Sequence, residues 1–319
     1  MQKSITTFVL GATVLTSFLA AEQTEPGFAP QAPFSPWFTG TLLSPIGEAL
    51  TKGHFSFQPY FFANTATGFY HSHWNPKSTP NVHNETLQLW ILVGLTDFMD
   101  IIIIPEVLHT HTQGQSSTRF GDLPIELDFQ LIKEDQFQYV PGIKLGLIET
   151  FPTGKYQKLN PKKLETDVGG LGSFATTAQI VFYKICPIVR HHYLSITASF
   201  AYTYFAPVHV KGFNVFGGAS NTRGKVFPGN ASNAILSFQY SLTQNWVLAL
   251  DNSYLHVDKD RFRGRETAGR HSSELISFAP AIEYNFSANL GLIAGVWFSA
   301  AGRNTPQFTN GVISFVAQY

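Results

Sequence analysis

Residues 194–204 read LSITASFAYTY. Leu194, Ile196, Ala198, Phe200, Tyr202 and Tyr204 share one face of an extended chain, and Ser195, Thr197, Ser199, Ala201 and Thr203 share the other. The division follows because successive strand side chains point to opposite sides. The same period recurs at 123–131, where Leu123, Ile125, Leu127, Phe129 and Leu131 oppose Glu126, Asp128 and Gln130. At 234–240, Leu236, Phe238 and Tyr240 oppose Ser237 and Gln239. Such alternation suits a soluble sandwich as well as a membrane barrel. The rest of the chain must choose between them.

The opening stretch, MQKSITTFVLGATVLTSFLAAEQ, has Lys3, an apolar run from Phe8 to Ala21 and small residues before Glu22. Residues 1–21 read as a secretory signal peptide, too short and wrongly flanked for an anchor. The chain has 319 residues, formal net charge zero, 13% charged and 14% aromatic residues. Soluble domains carry about 25% charged residues. The neutral balance gives no basic surface for nucleic acid, and the lone Cys186 excludes an internal disulfide. After the signal no apolar run reaches the roughly 18 residues of a membrane helix.

An exported, aromatic-rich chain of this kind can still enter a membrane as a closed β-barrel, with every backbone polar group paired inside the sheet. Twelve strands are expected, near 54–63, 85–94, 100–110, 121–132, 139–151, 170–184, 192–207, 231–241, 246–257, 272–286, 290–301 and 309–319. Every second connection is short: LTDFM, KEDQFQ, ICPIVRH, SLTQN and FSAN. The intervals 64–84, 152–169, 208–230 and 258–271 are long. Outer-membrane barrels put short turns in the periplasm and long loops outside. Tyr240, Trp246, Tyr284 and Tyr319 lie at the short-turn end, and Phe151, Tyr204 and Tyr254 near the other, as two interfacial aromatic belts require. The last strand, GVISFVAQY, resembles the C-terminal signal read by the barrel assembly machinery. The expectation is an all-β chain: a transmembrane antiparallel β-barrel over 53–319, in outer-membrane lipid of a Gram-negative bacterium.

Three stretches carry a resemblance: FGDLPIELDFQLI (120–132), GIKLGLIETFPTGKYQKL (142–159) and ETDVGGLGSFATTAQIVFYK (165–184). Gly121-Asp122, then Phe151-Pro152-Thr153-Gly154, then Gly169-Gly170-Leu171-Gly172 resemble the pattern of an outer-membrane transporter family assigned to the meta-pathway of phenol degradation. WFTGTLLSPIGEALTKGHFSFQPYFF (37–62) resembles the stretch before the first strand in related proteins. The resemblance implies an outer-membrane channel whose small-molecule solutes are aromatic or otherwise apolar.

Parity places Glu126, Asp128, Lys144, Asp251 and Glu283 on the inner face. They suit either a hydrogen-bonded network that stiffens the barrel or a mildly cation-favouring constriction. Tyr60, Phe62, Trp90, Leu92, Ile293 and Trp297 form an unusually apolar inner wall, on strands that become neighbours only when the barrel closes. Residues 22–52 are Pro-rich, yet Phe28, Phe34, Trp37, Phe38, Leu42, Leu43 and Ile46 need cover. Two placements are open. The segment plugs the lumen, packing Phe34, Trp37 and Phe38 along that wall, or it lies in the periplasm or along the rim. Ser44-Pro45 is expected to start a short helix.

The Gly-rich DVGGLGS is no phosphate loop, since no Lys-Ser/Thr follows and a strand comes next. Eight of eleven histidines fall toward the long-loop rim. His71 with His73, and His109 with His111, would share a face if extended, and imidazole pairs suit zinc, copper or nickel. Without cysteines or a fixed four-ligand spacing they read as loop polarity, and no metal or cofactor is expected. Ser253 and His256 fall on opposite faces, and no nucleophile elbow is present, so no enzyme is expected. The functional expectation is a channel for small apolar or aromatic solutes; the alternatives are a structural or adhesive barrel and, behind it, an outer-membrane hydrolase.

Overall fold

The computed structural model describes residues 36–134, 139–189, 192–266 and 269–319. The expected signal peptide, residues 1–21, and Phe34 lie outside them.

β1 (Phe55–Tyr70) and β2 (Pro76–Thr96) form a long hairpin. β3 (Met99–Ile103) and β4 (Glu106–Thr112) both pair with β2 and continue one another across Pro105. β5 (Gln115–Phe120) and β6 (Leu123–Ile132) continue one another across Gly121-Asp122. β7 (Gly142–Phe151), β8 (Ala175–Val189) and β9 (His192–Phe205) follow. β10 (Val208–Lys211) and β11 (Arg223–Phe227) lie in the next loop. Then come β12 (Ala231–Ser241), β13 (Trp246–Val257), β14 (Arg261–Arg265), β15 (Ser273–Ser287), β16 (Leu290–Arg303) and β17 (Thr305–Gln318).

Among the described residues the main sheet holds fourteen strands, and with β3–β4 and β5–β6 each counted as one stave it has twelve staves. β1 pairs with β17 from Ser56↔Gln318 to Tyr70↔Thr305, so the sheet closes on itself. Closure removes the unpaired edges that hydrocarbon cannot satisfy. The faces are inverted relative to a soluble protein. Phe200, Leu236, Leu248 and Leu147 stand exposed outside, whereas Thr197, Ser237, Gln239, Asp251 and Glu283 are buried inside. At the short-turn end Trp246 meets Tyr284 edge-on at 4.7 Å, and Tyr284 meets Phe286 at 4.9 Å. These rings form the interfacial belt on that side.

The long intervals differ from the expected open loops. Most of 64–84 is strand, because β1 and β2 run on to a turn at 71–75. A membrane crossing needs about 9–11 residues, and β2 has 21, so the hairpin projects well beyond the lipid. Parts of 208–230 and 258–271 join as a separate sheet in the order β10–β11–β14. Val208, Val210, Phe216 and Val226 supply its core. Apolar alternation too short to cross a membrane is enough to build a small sheet over the rim.

Candidate functional site

Residues 36–52 run through the inside of the barrel, held by polar groups of the inner face. Asn285 Nδ2 donates to Trp37 O at 3.0 Å. Thr39 donates from both N and Oγ1 to Glu283 Oε1, at 2.6 and 2.7 Å. Gln239 Nε2 donates to Gly40 O at 2.9 Å. Leu42 N and Leu43 N both donate to Asp251 Oδ2 at 3.0 Å. Further on, Ala49 N donates to Gln130 Oε1 at 2.8 Å and Leu50 N to Asp100 Oδ2 at 2.5 Å.

These anchors stand on opposite walls. Asp251 and Glu283 are on β13 and β15; Gln130 and Asp100 are on β6 and β3. In the ring of twelve staves each of those pairs is half a circuit from the other. The segment is therefore a strap across the lumen. It is not helical at Ser44-Pro45, contrary to the expectation. Consecutive N–H groups at 42 and 43 turn toward one carboxylate, and Ser44 N is taken by Thr41 Oγ1 at 3.1 Å. With wall groups taking these donors, no helical ladder is needed to satisfy them.

The apolar wall gathers at the first anchor. Tyr60, Ala249, Ala279, Ile293 and Val312 are buried together with Leu42, and Leu43, Phe62, Trp90 and Trp297 pack against them. Tyr60 stacks on Phe62 at 5.9 Å and tilts against Trp90 at 5.5 Å. The side chains inserted are Leu42 and Leu43, rather than Trp37. Glycines make the space. A Cβ on Gly291 would come within 2.5 Å of Thr39 Oγ1, and one on Gly295 within 2.7 Å of Leu42 Cδ1. Leu92 belongs to a second cluster, where Ile46 and Leu50 pack against it, Ile102 and Ile104. Below the strap lies a cavity of about 520 Å³, bordered by Phe38, Glu48, Ser56, Gln58, Tyr183 and Thr197.

Glu126, Asp128 and Lys144 form a separate group on the inner face. Lys144 Nζ meets Asp128 Oδ2 at 2.5 Å, both side chains being fully buried. Glu126 Oε1 accepts from Gln179 Nε2 at 3.4 Å. Asp100 lies directly across from Asp128, so this group adjoins the second anchor. Asp100, Gln130, Gln239 and Asn285 are strap partners absent from the candidate residues. Asp100 sits in DIIII, where the apolar run hides it, although it has the inward parity of Ile102.

At the outer rim the three resemblance motifs meet on one side chain. Asp122 accepts from Gly154 N at 2.9 Å and from Leu171 N at 2.8 Å. Thr153 Oγ1 donates to Gly121 O at 2.7 Å. Gly170 admits the Asp122 carboxylate, which a Cβ there would meet at 2.1 Å. Burial pushes the Asp122 carboxyl up, and the two N–H donors offset part of that rise. Further along this loop Lys155 Nζ reaches Asp167 Oδ2 at 2.5 Å. Burial raises the Asp167 carboxyl, but Lys155 and Asn160 N outweigh it and hold it below the usual range.

The histidine pairs separate. His71 and His73 occupy the hairpin turn, where His71 N donates to Asn75 O and Trp74 takes a left-handed φ of 64°. The backbone is not extended there. His73 Nδ1 instead meets Ser72 Oγ at 2.9 Å. His109 and His111 do share a strand face, 5.9 Å apart. Ser253 donates to Asn233, and His256 lies between Asp258 and Glu274, so the two form no nucleophile–base pair.

Among solved structures, an outer membrane channel from Pseudomonas putida F1 matches over 87% of this chain and 100% of its own, with TM-score 0.68 and 15% identity. This chain has the fold of an outer-membrane β-barrel. At that identity the likeness concerns the fold. The NanC porin matches with TM-score 0.48 and 8% identity over 82% of this chain and 98% of its own. The CymD monoaromatic hydrocarbon channel matches with TM-score 0.41 and 10% identity, over 85% and 89%. Both are too loose to carry an argument. No protein-family model matches the chain, and no curated protein matches its sequence.

Proposed function

We propose that this barrel is an outer-membrane channel for small apolar or aromatic solutes, with residues 36–52 as its internal constriction. The observation that carries the reading is the strap itself. It is fastened at two opposite walls by side-chain acceptors and flanked by an apolar surface of Tyr60, Phe62, Trp90, Ile293 and Trp297. A barrel serving only as a scaffold has no need of an inner wall that is apolar on one side and polar elsewhere. A solute pathway uses both. Aromatic rings offer flat, polarisable contact to an aromatic solute, and the polar staves keep the rest of the lumen wet. The resemblance to the phenol-degradation transporters supports the same solute class.

The test is conductance of the purified mature chain in planar bilayers, with and without residues 36–50. The reading expects a low or intermittent conductance for the whole chain, a large stable one after deletion, and partial block of the latter by millimolar phenol. If the shortened barrel inserts and stays closed to ions, the chain is a structural barrel and the channel reading fails.

A further inference from the structure

On the outer surface where β2 pairs with β4, two cross-strand rows carry four ligating side chains. His83 and Glu85 of β2 lie opposite His111 and His109 of β4. They share the parity of Leu87, which is exposed on the outer face, so they project away from the lumen. Glu85 stands eleven residues from the periplasmic end of β2 at Thr96. A stave crosses the membrane in about 9–11 residues, so the group lies at or above the outer lipid boundary.

The ligand atoms of Glu85, His109 and His111 lie within 4.8 Å of one another. Glu85 Oε2 is 3.5 Å from His111 Nδ1, and it is buried without a hydrogen-bond partner among the described residues. A carboxylate oxygen left in that state is costly unless something positive satisfies it. The imidazoles are held from behind. Thr118 Oγ1 engages His109 Nδ1 at 2.8 Å, leaving Nε2 for another partner. Thr65 Oγ1 engages His83 Nδ1 at 3.1 Å, and the His83 ring stacks on His111 at 4.6 Å. Outer hydrogen bonds of this kind orient metal-binding imidazoles, and paired strands supply a rigid base.

We propose that Glu85, His109 and His111 form a surface site for a divalent transition cation of the zinc type. Two imidazole nitrogens and one carboxylate oxygen are a ligand set that zinc accepts, with a fourth position for water or for His83. Calcium and magnesium prefer oxygen ligands throughout. Ligand atoms around tetrahedral zinc stand about 3.3 Å apart, so side-chain rotation closes the present spacing with the sheet unmoved. A bound cation would satisfy Glu85 Oε2 and link β2 to β4 above the lipid. The site is distinct from the lumen and independent of the channel reading.

The test is calorimetric titration of Zn²⁺ into the full mature, untagged chain in detergent after chelator treatment, with Co²⁺ absorption reporting geometry. One site per chain is expected, with intense visible Co²⁺ bands. His109→Ala, His111→Ala and Glu85→Gln should each weaken binding at least tenfold. Thr118→Val, which keeps every ligand, should weaken it by about 10–100-fold. The double variant His71→Ala/His73→Ala, at the hairpin tip, should leave it unchanged. Heat-modified gel migration verifies that each variant is a folded barrel. If the folded His109→Ala/His111→Ala variant binds Zn²⁺ like the parent, or the parent binds none, the proposal is wrong.

Discussion

Replacing Asp251 by alanine removes the carboxylate that holds the strap at its first anchor. Asp251 Oδ2 accepts from both Leu42 N and Leu43 N, and Oδ1 accepts from Ser237 Oγ. Hydrogen bonds to a charged group contribute about 1.5–3 kcal/mol each, so losing the two strap bonds weakens docking by about 3–6 kcal/mol. At 1.4 kcal/mol per factor of ten, the undocked fraction rises about 10²–10⁴-fold. The barrel itself should survive, since the sheet on either side of residue 251 stays paired through Ser237 and Ala279. Thr39 and Leu50 retain their acceptors, Glu283 and Asp100, so the strap stays tethered at neighbouring and opposite points. The expected record is frequent openings in planar bilayers, where the parent opens rarely. A second readout is thiol reactivity: Leu42→Cys, buried in the parent, should react with a water-soluble maleimide far faster when Asp251 is alanine. Equal reactivity and equal open probability in the two backgrounds would refute the reasoning, because the strap would then owe nothing to this carboxylate.

Three further outcomes are expected. Gly291→Ala should loosen the Thr39 end and raise open probability less than Asp251→Ala does, because the nearest atoms its Cβ meets are side-chain atoms of Thr39 and Asn285; single-channel recording ranks the two. Leu236→Arg, on the exposed outer face midway along β12, should destabilise the barrel by about 2–4 kcal/mol in urea titrations from lipid vesicles. The same substitution at the buried neighbour Ser237 should not follow that depth dependence. Acid should release the loop held by Lys155 and Asp167. The Asp167 carboxyl is held below its usual range, so its contribution is complete above the unfolded value of about 4 and fades as pH falls through the folded one. Proteolysis of 152–169 should therefore quicken below about pH 4, and Asp167→Asn should remove that pH dependence.

Period two was enough to separate lipid-facing from lumen-facing side chains at Phe200, Leu248, Thr197 and Asp251, because the alternation is a property of the extended backbone and needs no partner. Closure was legible for a related reason: a row of such strands can satisfy its backbone in lipid only as a barrel. The extent of β1 and β2 was not legible. Residues 64–84 are mostly polar, with Phe69, Tyr70, Trp74 and Val82 in no regular alternation, and such a stretch is not distinguished from loop by its sequence alone. The small sheet of β10, β11 and β14 was not legible either, because its strands of four and five residues are too short to show a period.

Sequence alone determined which residues share a face and that the inner face carries both carboxylates and aromatic rings. It also marked residues 22–52 as too apolar to stay uncovered. Only the tertiary structure decided what meets what. Asp251 and Leu42 are separated by 209 positions, and no local pattern couples residues at that distance. The strap is inserted by Leu42 and Leu43 rather than Trp37, because the space left by Gly295 and the acceptor on Asp251 are set by the curvature of the closed sheet. His109 and His111 are only two positions apart in sequence, but the register of β2 against β4 brings Glu85 to them. Register is a long-range quantity, fixed by the sum of pairings around the barrel, and a shift of one residue would have turned Glu85 toward the lumen.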